Sequence, residues 1–114
     1  MIEVKTKQEQ GFSVIEIEGE VDMYSSPEVR SEIISLTKNK TAIIVVDLEK
    51  VSYMDSSGLA TLVEGLQLAG QYKGNIKLIN LREEVLEVFE LTRLDHIFEI
   101  YDSMDSALES LTCK

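Results

Sequence analysis

Apolar and polar residues alternate in two short segments at the start of the chain, "MIEVKT" and "FSVIEIEGE". A polar stretch that contains a glycine, Gln8 to Gly11, separates them, so the pattern predicts an opening β-hairpin. The next segment, "SSPEVRSEIISLTKN", changes to helical spacing and predicts an amphipathic helix that ends near Asn39. Pro27 suits the first turn of that helix, and Ser25 precedes Glu28 by three residues, which predicts a capping box.

An unbroken run of mostly branched side chains, "AIIVVDL", follows the helix and predicts a strand buried on both faces. The stretch "EKVSYMDSSG" then predicts a loop, and apolar residues return to helical spacing from Ser56 to about Tyr72. The remaining pattern predicts strands in "IKLIN" and "IFEIY". It predicts helices in "REEVLEVFELTRL" and "DSMDSALESL", the last of them capped by Asp102 or Ser103.

This order of elements, β-β-α-β-α-β-α-β-α, predicts an α/β fold. The opening hairpin joins a mainly parallel mixed sheet of about 4–5 strands, accompanied by about four helices. The chain has 114 residues, a single proline and no repeat or linker, so residues 1–114 are expected to form one domain.

The chain is strongly acidic, with 11 Lys and Arg against 21 Asp and Glu and a formal net charge of −10. Nucleic-acid phosphates and anionic membranes would repel it, so neither is an expected partner. No apolar run approaches the roughly 20 residues of a membrane span, and the N-terminal residues carry no export signal. Because the single cysteine, Cys113, also has no partner for a disulfide, we expect a cytoplasmic protein.

The loop before the second helix is the place where chemistry is expected. In open α/β sheets, sites form beyond the carboxyl ends of strands, where loops lead into helices. The sequence "MDSSG" puts Asp55, Ser56 and Ser57 at such a helix start, beside unpaired backbone N–H groups. Two interpretations remain open. Asp55 or Ser56 caps the helix, or a serine is phosphorylated where the helix dipole favours the added charge.

Asp22 occupies a comparable position in the loop "GEVDMYSSPE" after the second strand. If the two loops lie side by side, Asp22 joins Asp55 and Ser56 in a small polar cluster; the alternative is a turn or cap residue. For Tyr53 and Met54, packing in the core is an equal alternative to a place beside this cluster. The candidate apolar neighbours of the cluster are Met23, Tyr24, Tyr53 and Met54.

Catalytic functions find little support in the sequence. A serine hydrolase needs a general base and usually a G-x-S-x-G turn, but the chain has one histidine, His96, and no such turn. Asp47 at the end of a buried strand suggests a receiver domain, but the first strand lacks the acidic pair that holds Mg²⁺. No G-x-x-x-x-G-K-[ST] loop is present, and His96 and Cys113 make no metal motif. We therefore expect neither an enzyme nor a bound metal or other cofactor.

Three segments, "GEVDMYSSPEVR", "IIVVDLEKVSYMDSSGLATLVEGLQLAGQYKGNIKLIN" and "VFELTRLDHIFEIYDSMDSAL", resemble in order the anti-sigma factor antagonist family, whose fold is called the STAS domain. The strongest part of the resemblance is "DLEKVSYMDSSGL". The resemblance covers nearly the whole chain. It implies phosphorylation of the serine that follows the aspartate of a D-S-[ST]-G motif, here Ser56. It also implies that Asp55 and Ser57 support the site, that Gly58 lets a partner approach the helix start, and that Asp22 matches the family's loop aspartate.

The resemblance further implies a function in partner switching. The unphosphorylated protein would bind an anti-sigma factor that is also an ATP-dependent serine kinase, and would thereby free a sigma factor for transcription. Phosphorylation would abolish that binding, and a separate serine phosphatase would restore it. The alternative within the same fold is a STAS subunit of another assembly, such as a stress-signalling complex or a lipid or anion transport system.

Overall fold

The first two strands form the predicted hairpin. The computed structural model describes residues 2–9 and 11–112, and in it β1 (Ile2–Glu9) pairs antiparallel with β2 (Phe12–Val21). Gly11 has a φ of +86°, the left-handed backbone that a tight hairpin turn requires and that glycine adopts most readily.

Helix α1 (Ser26–Lys38) follows the hairpin, as its helical spacing predicts, but the predicted capping box is wrong. The Ser25 side chain makes no hydrogen bond to the helix. Its backbone is already near-helical, with φ −102° and ψ −21°, whereas a capping side chain needs an extended backbone to reach the first N–H groups. The hydroxyl instead donates to the Glu20 carbonyl at 2.7 Å, which ties the start of α1 back to the end of β2.

Strand β3 (Ile43–Met54) is longer than predicted, because the stretch from residue 49 to 54 is strand rather than loop. The pairing between β2 and β3 shifts register twice in this part, and at each shift β3 contains one residue more than β2. Its buried side chains therefore recur at every third position, at Leu48, Val51 and Met54. A strand with such irregularities lacks the two-residue alternation by which strands are recognised.

The later elements follow the predicted order, and their bounds differ from the predicted ones by a few residues. They are α2 (Ser56–Gly70), β4 (Asn75–Ile79), α3 (Glu83–Leu91), β5 (Glu99–Tyr101) and α4 (Met104–Thr112). A single 3₁₀ turn, Leu94–His96, precedes β5. Ser103 caps α4, as one of the two predicted candidates, because its hydroxyl accepts from the N–H of Ser106 at 3.2 Å.

The five strands lie in the order β1-β2-β3-β4-β5, and every pairing after the first is parallel, which confirms the predicted fold. Helices α1, α2 and α3 contribute Ile33, Leu62 and Phe89 to the main hydrophobic core on one face of the sheet. Helix α4 packs Ala107 against Val45 on the other face. The carboxyl ends of β2 and β3 meet at one edge of the sheet, and α1 and α2 both begin there.

Candidate functional site

Asp55 is the cap of α2. Its backbone is extended, with φ −105° and ψ −170°, which directs the side chain at the first turn of the helix. Its Oδ1 accepts hydrogen bonds from the N–H groups of Ser57 at 2.9 Å and of Gly58 at 3.3 Å. The Ser57 hydroxyl donates to the same oxygen at 2.5 Å. Of the two predicted capping residues, Asp55 is therefore the one that caps.

These hydrogen bonds lower the pKa of Asp55 below its ordinary value of 3.8. The Ser57 hydroxyl contributes most, partial desolvation opposes it, and the backbone N–H groups add to the lowering. The folded protein thus stabilises the carboxylate relative to the unfolded chain. This stabilisation is fully present above the ordinary pKa and is lost as the pH falls through the lowered pKa.

We expect Asp55→Ala to reduce the melting temperature by several degrees at neutral pH, because α2 loses its cap. The difference from the wild type should shrink progressively below about pH 4, because the unfolded chain takes up a proton on Asp55 at a higher pH than the folded protein does. Thermal unfolding followed by circular dichroism across a pH series measures both effects. A deficit that stays constant down to the most acidic pH would contradict a charge-dependent cap.

The two adjacent serines of the "MDSSG" stretch differ in what their hydroxyls do. Ser57 is half-buried, and its hydroxyl is committed to Asp55. Ser56 is the first residue of α2 and is exposed, and within the described part of the chain its hydroxyl has no hydrogen-bond partner. Ser56 therefore presents a free hydroxyl at the positive end of the helix dipole.

Asp22 organises the loop between β2 and α1. Its Oδ1 accepts from the N–H groups of Tyr24 at 2.9 Å and of Ser25 at 3.0 Å, and its own N–H donates to the Ser25 hydroxyl at 2.9 Å. Asp22 is thus a turn residue. Ser25 is a site residue that the sequence did not identify, because its spacing to Glu28 suggested a helix cap instead.

The loops that carry Asp22 and Asp55 lie side by side. The N–H of Asp55 donates to the carbonyl of Val21 at 3.1 Å, and Val21 lies opposite Met54 in the pairing of β2 with β3. Across the residues that the structure describes, no hydrogen bond joins Asp22 to Asp55 or Ser56. The predicted polar cluster is therefore two neighbouring turns, each completed by its own aspartate.

Three of the four apolar candidates at this edge are exposed. The exposed fractions are 66% for Met23, 87% for Tyr24 and 51% for Tyr53, whereas Met54 is 3% exposed and lies in the core. The core alternative is thus confirmed for Met54 and wrong for Tyr53. Large exposed apolar side chains that share one edge are typical of protein–protein contact surfaces, where tyrosine and methionine are enriched. Together with Ser56 we call these exposed side chains the Ser56 surface: Met23, Tyr24, Tyr53 and Ser56.

Gly58 has a structural role that differs from the one implied by the resemblance. It is buried, and a Cβ atom at this position would lie 2.7 Å from Met54 Cγ and 2.8 Å from Val21 Cγ1. The missing side chain therefore lets α2 approach the ends of β2 and β3. This packing gives Gly58 a structural role, and the expectation that it lets a partner approach the helix start stays a prediction.

The other candidates from the sequence have local explanations. Asp47 Oδ1 accepts from the Glu49 N–H at 3.0 Å and from Asn80 Nδ2 at 3.2 Å, which fixes the irregular part of β3. His96 lies in the 3₁₀ turn, where its side chain is 71% exposed. Cys113 falls outside the described residues.

Among those that are described, no three His, Cys, Asp or Glu side chains are placed to hold a metal ion. No helix in the same set is long and apolar enough to cross a membrane.

Comparisons with known proteins agree with one another. The family model of the STAS domain matches residues 3–107. The anti-sigma-B factor antagonist of Bacillus subtilis strain 168 is 35% identical over 99 residues, which are 87% of this chain and 90% of that protein. An anti-sigma factor antagonist from Mycobacterium paratuberculosis superposes with a TM-score of 0.90 at 26% identity, over 99% of this chain and 96% of that chain. The Bacillus cell fate determinant SpoIIAA in its phosphorylated form has the same fold, with a TM-score of 0.74 at 20% identity over 96% of this chain and 99% of that chain.

Proposed function

The chain belongs to the STAS domain family, and we propose that it is an anti-sigma factor antagonist whose binding is switched off by phosphorylation of Ser56. The antagonist function is supported by the relative from Bacillus subtilis. The choice of Ser56 is supported by one observation above the others. Its hydroxyl is exposed and without a hydrogen bond at the first residue of α2, while the neighbouring hydroxyl of Ser57 is held by Asp55.

The phosphorylation step would be catalysed by a partner kinase and not by this chain. A kinase would transfer the γ-phosphoryl group of ATP to Ser56 Oγ, with ADP as the leaving group and the hydroxyl proton passing to a base on the kinase. Ser57 is a poor acceptor because its hydroxyl would first have to leave Asp55 and thereby weaken the cap of α2. The chain itself thus acts as a binding protein and as a substrate, without a catalytic residue.

The added phosphate would change the surface and leave the fold intact. It carries a charge of about −1.5 to −2, which the start of a helix stabilises and the nearby carboxylate of Asp55 opposes. The phosphorylated SpoIIAA of Bacillus has the same fold, which supports the view that this architecture holds together when it is phosphorylated.

The unphosphorylated Ser56 surface is the proposed contact for an anti-sigma factor. Met23 and Tyr24 are exposed on the loop next to the one that carries Ser56, and they supply apolar area for such a contact. The partner would be an anti-sigma factor with ATP-dependent serine kinase activity, which releases its sigma factor when it binds this protein. A serine phosphatase would reverse the modification, and the whole cycle would take place in the cytoplasm.

Incubation with the cognate kinase and ATP should convert the wild-type protein to a single phosphorylated species. Ser57→Ala should still be phosphorylated, whereas Ser56→Ala should remain unmodified, because only Ser56 offers a free hydroxyl at the helix start. Phos-tag electrophoresis resolves the two forms, and mass spectrometry locates the phosphate.

The comparison of the two variants makes this test specific. Ser56→Ala removes no hydrogen bond found among the described residues, so its melting temperature should match that of the wild type. A shifted band in Ser56→Ala would show that another residue accepts the phosphate. The absence of any shift in the wild type would reject the proposed switch altogether.

A further inference from the structure

A groove with an apolar floor and a basic rim lies between the C-terminal ends of α1 and α2. Its volume is about 480 Å³, and its floor is formed by Ile34, Leu68 and Tyr72. Ile34 and Leu68 are only half-buried, and they belong to neither hydrophobic cluster of the core. The groove therefore exposes apolar area that the fold itself does not use.

Three exposed lysines lie at or beside this groove, in a chain whose net charge is −10. Lys38 and Lys40 line it, and Lys73 follows Tyr72 directly in the chain. All three are exposed, and none forms an ion pair within the part of the chain that the structure describes. Three of the eleven Lys and Arg residues are thus grouped at the C-terminal ends of α1 and α2 in an acidic protein.

The local backbone does not favour lysine at two of these positions. The N–H of Thr41 bonds to the Leu36 carbonyl and that of Lys40 to Thr37, which is the hydrogen-bond pattern of a Schellman motif at the end of α1. At the end of α2 the pattern is the same: the N–H of Gly74 donates to the Ala69 carbonyl, and the N–H of Lys73 donates to the Gly70 carbonyl. Lys40 and Lys73 therefore occupy the left-handed position, with φ of +55° and +65°, where glycine is the usual residue. Helix termination alone does not explain a lysine at either position.

We propose that this groove binds an acidic amphipathic helix of a partner protein. The apolar side chains of such a helix would cover Ile34 and Leu68, and its carboxylates would face the lysines. Nucleic acid fits less well, because its phosphates make no use of the apolar floor formed by Ile34, Leu68 and Tyr72.

The groove lies far from the Ser56 surface. Helices α1 and α2 both begin at the edge that carries Ser56 and end at the groove. Because α1 has 13 residues, the two ends are separated by about 20 Å at ~1.5 Å per residue. A partner bound in the groove would therefore remain bound in both phosphorylation states, and the groove would serve as a second contact that the Ser56 switch does not control.

The test uses a fluorescein-labelled peptide of 14 residues with leucines at helical spacing and glutamates between them, followed by fluorescence polarisation. The wild type and Ser56→Asp should bind it equally, and the same peptide with glutamine in place of glutamate should bind at least tenfold more weakly. The double variant Lys40→Gly/Lys73→Gly should lose at least tenfold in affinity. Its melting temperature should be equal or higher, because glycine suits both left-handed positions.

A matched control is the double variant Lys5→Gln/Lys50→Gln, which removes two exposed lysines from β1 and β3 and should bind normally. Equal loss in this control would show that only net charge matters and would overturn the proposal. Equal affinity of the glutamine peptide, or no saturable binding up to millimolar protein, would also overturn it. Displacement of the peptide by a DNA duplex of equal concentration would assign the basic rim to nucleic acid instead.

Discussion

Ser56→Asp should weaken binding to the cognate anti-sigma factor by at least about a hundredfold, while the free energy of unfolding stays within ~1 kcal/mol of the wild type. The loss of affinity follows from placing a charge in a contact made for a neutral hydroxyl, where desolvation costs several kcal/mol and each ~1.4 kcal/mol is a factor of ten. The fold is unaffected because Ser56 is exposed and starts α2, where an acidic side chain is favourable.

Isothermal titration calorimetry measures the affinity, and urea denaturation measures the stability. The matched control is Ser31→Asp, which adds the same charge at an exposed serine in the middle of α1. This control should bind within a factor of about two of the wild type, since it lies outside the Ser56 surface. If both variants lost affinity equally, the weaker binding would result from net charge and not from the position of Ser56. A destabilised Ser56→Asp would mean that Ser56 supports the helix start.

The order of elements could be predicted because most of them carry a regular local signal. The alternation in β1 and the helical spacing in the helices reflect faces that are buried with one period, whereas the branched run at the start of β3 reflects burial on both faces of the sheet. The second half of β3 could not be found in this way. The extra residues of β3 relative to β2 depend on how these two distant segments pair. Because of them, buried side chains recur at every third position and not at every second one.

In the site, too, the features that depend on neighbouring residues could be predicted, and those that depend on distant segments could not. Asp55, Ser56 and Ser57 are neighbours in sequence, so their placement at a helix start follows from local chemistry. The roles of Ser25 and Gly58 depend on atoms supplied by other elements. Ser25 bonds back to Glu20 at the end of β2, and Gly58 packs against Val21 and Met54. Contacts of this kind are absent from any local pattern and are visible only once β2 and β3 are side by side.

The packing around Gly58 leads to the second large effect: Gly58→Ala should destabilise the protein by about 1–2 kcal/mol. The new methyl group would lie within 2.7–2.8 Å of Met54 Cγ and Val21 Cγ1, so these buried side chains must move. Overpacking of this kind typically costs about 1–3 kcal/mol, and the better helix propensity of alanine returns at most ~1 kcal/mol.

Gly70→Ala provides the matched control, since it makes the same change in the same helix. A Cβ atom there meets nothing within 4 Å, and Gly70 does not have a left-handed backbone, so the variant should be as stable as the wild type or slightly more stable. Urea denaturation of the two variants measures the difference. If Gly58→Ala were as stable as Gly70→Ala, α2 would not need close contact with the sheet at its first turn, and the structural role assigned to Gly58 would be wrong. A loss confined to Gly58→Ala would instead show that the start of α2, where Ser56 lies, depends on close packing against β2 and β3.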